Sequence, residues 1–219
     1  MFAFQSCRDV IGSGNLDEGL IEYEITYPNP PEDKYVEKML PTVMDFKFKK
    51  GLTKSEVSIS MGMIKMFYLT DVKKKTMTEM VKFMTNKYAH EMDLGAVGNL
   101  MKELPPYRIE KTEDTKMIAN YKCKKAIVYV EGENPYTFDL YYTTEIDIPE
   151  ANWYNPFTEI EGVLMEYEIE RFNMLMHLTA SKVEPAEFEA DEFTRPEEYD
   201  PVDKTEMDKV RDMFEELNQ

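Results

Sequence analysis

Gly19-Leu20-Ile21-Glu22-Tyr23-Glu24-Ile25-Thr26-Tyr27 carries an apolar or aromatic side chain at every second position from Ile21 to Tyr27, with Glu22, Glu24 and Thr26 between them. Successive side chains of an extended chain point to opposite faces, so this alternation describes a strand with one face in a core and one in water. Pro28-Asn29-Pro30-Pro31 ends it. The same rhythm returns from Val43 to Lys49, where Phe46 and Phe48 flank Lys47, and again in Val57-Ser58-Ile59-Ser60-Met61. Met63 to Leu69 is apolar on both faces except at Lys65, which predicts a central strand. Asp71 to Lys75 predicts a charged hairpin tip, and Thr76 to Met84 the returning strand.

Leu94, Val97, Leu100, Met101 and Leu104 break this rhythm with helical spacing, behind a capping Asp93 and ahead of Pro105-Pro106. Strands are predicted again over Tyr107 to Glu110, Met117 to Val130 and Phe138 to Ile146, with Gly132 to Pro135 as a turn. Asn152 to Thr158 is a loop holding the single tryptophan, Trp153, and Gly162 to Val183 reads as a hairpin turning near Asn173. Leu164-Met165-Glu166-Tyr167-Glu168-Ile169 echoes Leu20 to Ile25, which two strands under one alternation constraint reach by convergence. An acidic, Pro-punctuated tail from Glu184 to Pro201 precedes an amphipathic helix, with Asp203 and Glu206 as a capping box and Met207, Val210, Phe214 and Leu217 inward.

About ten strands and two helices predict a mainly β chain, a curved antiparallel sheet or incomplete β-barrel. The helix at Leu94 to Leu104 is expected to cover its concave face. The expected division is a tether over residues 1–18, one β domain over 19–200 and the terminal helix over 201–219.

With 219 residues and 42% apolar composition the chain can bury a continuous core. No window approaches the roughly 18 consecutive apolar residues of a membrane-spanning helix. The net charge of −17 opposes binding to nucleic acid and to anionic headgroups alike. Seventeen methionines, fourteen tyrosines and twelve phenylalanines supply a soft, aromatic interior suited to an apolar ligand, or simply to an irregular core.

No catalytic constellation emerges. His90 and His177 stand at strand positions without ligands at useful spacing, and no nucleophile elbow, zincin motif or phosphate loop is present. The Met61-x-Met63 and Met174-x-Met176 pairs put thioethers on one strand face, a pattern that suits Cu(I) but is expected of core filling. Cys123 lies between Lys122 and Lys124, which alternation turns outward. No cofactor, metal or enzymatic activity is therefore expected. Phe4-Gln5-Ser6-Cys7 is similar to a bacterial lipobox followed by a glycine-serine tether, which makes Cys7 a candidate for acylation.

Thr115-Lys116-Met117-Ile118-Ala119-Asn120-Tyr121-Lys122-Cys123-Lys124-Lys125-Ala126 resembles the signature of a domain-of-unknown-function family of Bacteroidetes envelope proteins. Tyr141 to Ile146, Ile160 to Tyr167 and Phe193-x-x-Pro196-x-x-Tyr199 extend the likeness over roughly residues 19 to 200. A glycine is usual where Asn120 stands, and Asn also tolerates a left-handed backbone. The resemblance implies a LolA-like half-barrel, as in the periplasmic lipoprotein carriers, in an exported and often lipid-anchored protein; it carries no functional residues to this chain. A periplasmic or outer-membrane protein holding a lipid or other hydrophobic small molecule is the expectation, with Met63, Phe67, Val97, Leu100 and Met101 on the cavity wall. The competing expectation is a structural module that meets an envelope protein partner and has no cavity.

Overall fold

The computed structural model describes residues 15–132, 134–171 and 174–217, with backbone alone for Met61 and 213–217. Cys7 and most of the expected tether lie outside the described residues. Of that tether, residues 15–18 already belong to the fold: Asn15 donates to the Thr144 carbonyl at 3.0 Å, and Leu16 bridges Ile146.

Among the described residues twelve strands form one open sheet. They are β1 (Glu18–Thr26), β2 (Val43–Lys49), β3 (Leu52–Ile59), β4 (Ile64–Asp71), β5 (Thr76–Phe83), β6 (Asn86–Met92), β7 (Tyr107–Ile118), β8 (Tyr121–Val130), β9 (Tyr136–Thr143), β10 (Val163–Arg171), β11 (Met174–Pro185) and β12 (Asp200–Pro201). Their order is β12-β6-β5-β4-β3-β2-β1-β11-β10-β9-β8-β7, and only the two-residue β12 runs parallel to its neighbour. Nearly every pairing is a hairpin between consecutive strands. β1 closes onto β11 instead, which brings the two halves of the chain together. The two echoed segments thus become the strands on either side of β11, and their tyrosines Tyr23 and Tyr167 meet edge to face at 6.1 Å.

The expected strand from Met117 to Val130 is in fact the turn and second half of a hairpin. β7 reverses into β8 at Ala119 and Asn120, with φ of +47° and +70°. Neither glycine nor proline marks this turn, and the left-handed pair of a tight hairpin is met by Asn120 and, less comfortably, by Ala119.

Three helices occur among the described residues, one more than expected. α1 (Lys34–Met39) is a six-residue turn capped by Asp33, too short for its periodicity to be read. α2 (Leu94–Glu103) begins where expected, the Asp93 carboxylate accepting from the Ala96 amide at 2.8 Å. α3 (Lys204–Leu217) has the expected Asp203 cap on the Glu206 amide, at 2.9 Å. Met207 and Val210 are buried against Ile64, Met66 and Val81; Phe214 and Leu217 are outside the described side chains. No described helix is long and apolar enough to cross a membrane.

The acidic tail is a strap laid across the outer face of the sheet. Glu192 receives Lys47 and Lys54 at 2.6 and 2.8 Å, the Phe188 amide bonds Glu18, and the Tyr199 ring packs edge-on to Phe67 at 6.3 Å. The strap then adds β12 to the β6 edge and turns inward as α3. The other edge, β7, is protected by Arg108, Glu110, Lys111 and Lys116 and by a bulge between Lys111 and Thr115.

Candidate functional site

The inner face of the sheet encloses a cavity of about 510 Å³. Alternation decides which side chains reach it: Tyr23 from β1, Met44 and Phe46 from β2, Val57 and Ile59 from β3, Ile64, Met66 and Tyr68 from β4, Tyr167 and Ile169 from β10, and Met176 and Leu178 from β11. The segment between β9 and β10 covers this face and contributes Ile148, Tyr154 and Phe157. It is knitted by amides, since Asn152 donates to the carbonyls of Ile160 and Gly162 at 2.8 and 2.9 Å, and Asn155 donates to Asn152. Phe157, fully buried, locks the segment among Tyr107, Phe138 and Tyr167.

Register places one end of the cavity at the surface. The β1–β2 connection with α1, the β3–β4 turn, the β5–β6 turn and the β10–β11 tip all lie at the same end of their strands. Met39, Met63 and Met84 stand there half-exposed or more, at 50, 50 and 60%. Unbranched thioethers at a rim adapt to different contents at little cost. Among the described residues eight methionines border the cavity.

The wall is electrically quiet. Tyr23 donates to the Leu164 carbonyl at 2.7 Å and Tyr27 to the Pro41 carbonyl at 2.8 Å. Burial holds the Tyr23, Tyr68 and Tyr167 phenols well above their ordinary range and pushes Tyr154 up to about 12, so all four are neutral donors. No Asp, Glu, His or Lys borders the cavity among the described residues, and Arg171 at the rim is its one charged group.

Of the residues expected on this wall, Met63 is there. Phe67 is on the opposite face under Tyr199, because the outer apolar row of β4 serves the strap. Val97 is buried against Met77 and Met92, with Leu100 packed beside it; α2 therefore covers the inner face beyond the cavity, and neither they nor Met101 borders it. Cys7 lies outside the described residues. Sequence reasoning missed Tyr23, Tyr167 and Arg171; the echoed motif contains the first two, and the period-two row from Tyr167 through Ile169 leads to the third.

Elsewhere, His177 is not as isolated as sequence spacing suggested. Its Nδ1 is 3.2 Å from Glu168 across the β10–β11 pair, on the outer face. His90 meets the Val202 carbonyl at 3.0 Å. No group of three His, Cys, Asp or Glu side chains is arranged to hold a metal ion among the described residues. The buried Cys123 thiol is pushed up to about 11 by desolvation, with Lys122 and Lys124 outward.

No family model matches the chain and no curated protein matches it, so a functional reading rests on this geometry.

Proposed function

We propose that the protein holds a molecule with an apolar chain in the cavity of its half-barrel and performs no chemistry on it. The observation that carries this reading is the 510 Å³ space, walled by methionine and aromatic side chains and open at a methionine rim. An engineered cavity of about 150 Å³ admits benzene, so this one has room for on the order of twenty carbon atoms. A twelve-carbon chain withdrawn from water gains roughly 9–10 kcal/mol, at about 0.8 kcal/mol per methylene. Association costs of at least about 4 kcal/mol leave at most about 5–6 kcal/mol, which is binding at tens to hundreds of micromolar at best.

The finer parts of the reading are a LolA-like carrier architecture, an exported protein of the periplasm or outer membrane, and acylation of Cys7. They are supported by the motif likeness and the lipobox-like Phe4 to Cys7, and the open, strongly antiparallel sheet is compatible with the first. A second reading, a module that binds a protein partner, draws on the exposed Tyr35, Met39, Met63 and Met84. The sheet edges do not favour it, one being charged and bulged and the other covered by β12.

The test is native mass spectrometry of the protein taken gently from cells, with organic extracts of the same sample, alongside titration with the neutral probe N-phenyl-1-naphthylamine. A stoichiometric lipid, or saturable probe binding weakened several-fold by Met176→Asp, is the expected result. An empty protein that takes up no probe would overturn the reading in favour of the protein-partner module.

A further inference from the structure

We propose that the cavity selects single-chain amphiphiles with an anionic head, a carboxylate or phosphate, which Arg171 binds at the rim while the chain runs inward. This inference rests on the reading of the cavity as a ligand site and adds the chemical class of the ligand.

Alternation divides β10 into two faces. Glu166, Glu168 and Glu170 occupy one face of the strand, and Tyr167, Ile169 and Arg171 the other. The glutamates are spent outward: Glu166 receives Lys116 at 2.7 Å and Glu168 meets His177. The face toward the cavity thus carries tyrosine, isoleucine and then a guanidinium, an apolar run ending in a permanent cation. Arg171 pairs with Met174 at the tip of the β10–β11 hairpin, about 13 Å along the strand from Tyr167.

Arg171 has no ion pair among the described residues. Its one hydrogen bond there is from Nη1 to the Glu170 carbonyl at 3.1 Å, which leaves the guanidinium with donors to spare. Among the described residues Lys122 and Lys124 also lack a carboxylate partner, but they are exposed on β8, whereas Arg171 borders an apolar cavity. Its charge is directed inward: it works against the burial effect on the phenols of Tyr68, Tyr154 and Tyr167. A guanidinium presents a planar fork that matches the two oxygens of a carboxylate or phosphate, and no acidic group borders the cavity to compete for it.

The charge of the whole molecule makes the proposal easy to refute. At −17, unspecific attraction favours a cationic amphiphile over a neutral one, and a neutral one over an anion. Preference for the anion has to come from a local group.

The full chain is loaded with N-phenyl-1-naphthylamine, and the probe is displaced by twelve-carbon compounds below their micelle thresholds: laurate, dodecyl phosphate, dodecanol and dodecyltrimethylammonium. The expected order places laurate or dodecyl phosphate about tenfold ahead of dodecanol, with the cation last. The better of the two anions identifies the head. Arg171→Gln is expected to bring both within twofold of dodecanol, each anion being compared with dodecanol on that same variant. Arg171→Lys, which keeps the charge but loses the fork, is expected to retain part of the preference, and it replaces Arg171→Gln should that variant fail to melt cooperatively. Equal displacement by laurate, dodecyl phosphate and dodecanol, or a preference that survives Arg171→Gln, overturns head selection and leaves the apolar site standing. Failure of the probe and of all four compounds to bind overturns both.

Discussion

Among the described residues Glu79 is the only buried acidic side chain of the core, at 1% exposure, and it faces inward from β5. Arg211 of α3 reaches it with two hydrogen bonds, one from Nε to Oε1 at 3.1 Å and one from Nη2 to Oε2, and the Tyr68 hydroxyl adds a third at 3.3 Å. The Arg211 side chain is 24% exposed and also bonds Asp208 at 2.7 Å. The two ends of the pair are therefore unequal. Arg211→Met strands a carboxylate in the core, and removing one partner of a buried pair costs about 3–5 kcal/mol. Water entering from the exposed side of Arg211 places the expected loss near 3 kcal/mol. Glu79→Met leaves a guanidinium that keeps Asp208 and can swing into water, for a loss of about 1–2 kcal/mol. Replacing both with methionine removes the desolvation cost together with the attraction and is expected to fall within about 1 kcal/mol of the parent, a coupling of some 3 kcal/mol. Urea unfolding followed by far-UV circular dichroism and by the single Trp153 measures all four proteins. Losses that simply add in the double variant would refute the pairing, and with it the placement of α3 on the inner face.

Three further outcomes follow from the same geometry. Gly162 has φ of +136° and a Cβ there would stand 2.4 Å from the Thr143 carbonyl oxygen, so Gly162→Ala should cost about 2–4 kcal/mol in urea unfolding; a loss under about 0.5 kcal/mol would contradict that turn. Phe157→Ala removes a fully buried ring that joins three others and should cost about 3–5 kcal/mol by thermal or urea unfolding, with a near-neutral result showing that the covering segment is not packed as described. Cys123 is raised from 9.0 to about 11 and Tyr154 from 10.0 to about 12, so the unfolded chain gives up these protons first; stability is intact below about pH 9 and is lost as pH climbs through 11 to 12. A melting temperature flat from pH 8 to 11.5 would contradict this, as would rapid reaction of Cys123 with a disulfide reagent at pH 8 in a native Cys7→Ser variant.

The strand alternation, α2 behind Asp93 and the Asp203 cap of α3 were legible because each is a local pattern with a local cause. The β7–β8 hairpin was not, since Ala119-Asn120 carries little of the usual turn chemistry and the apolar positions continue across it. Period two also gives two faces without saying which one is inside. On β4 both faces are apolar, and only the strap, reaching back from Tyr199, shows that Phe67 belongs to the outer one. The acidic tail reads as solvated for the same reason: its partners Lys47, Lys49 and Lys54 are more than a hundred residues away. Arg171 could have been found, because it continues the Tyr167–Ile169 row on a strand whose acidic residues all occupy the alternate positions.

A protein interior normally closes on itself, and an unfilled apolar space costs stability in proportion to its volume. Here the elements laid over the sheet are fixed by polar contacts away from the centre of the cavity. The Asn152–Asn155 amides hold the β9–β10 segment to its own carbonyls, the Glu79–Arg211 pair holds α3, and the lysine–Glu192 contacts hold the strap that delivers α3 to the inner face. None of these contacts requires the cavity to be filled. The aromatic floor around Tyr23, Phe157 and Tyr167 is braced edge to face and resists collapse, whereas the rim at Met39, Met63, Met84 and Met174 is made of side chains that change rotamer easily. Rigidity at the floor with compliance at the mouth is the division a binding site needs, since it lets a chain enter without unfolding its container. Met66 and Met77 carry the same adaptable chemistry deeper into the wall, and this distribution supports the proposed site for an apolar chain over a rigidly packed core.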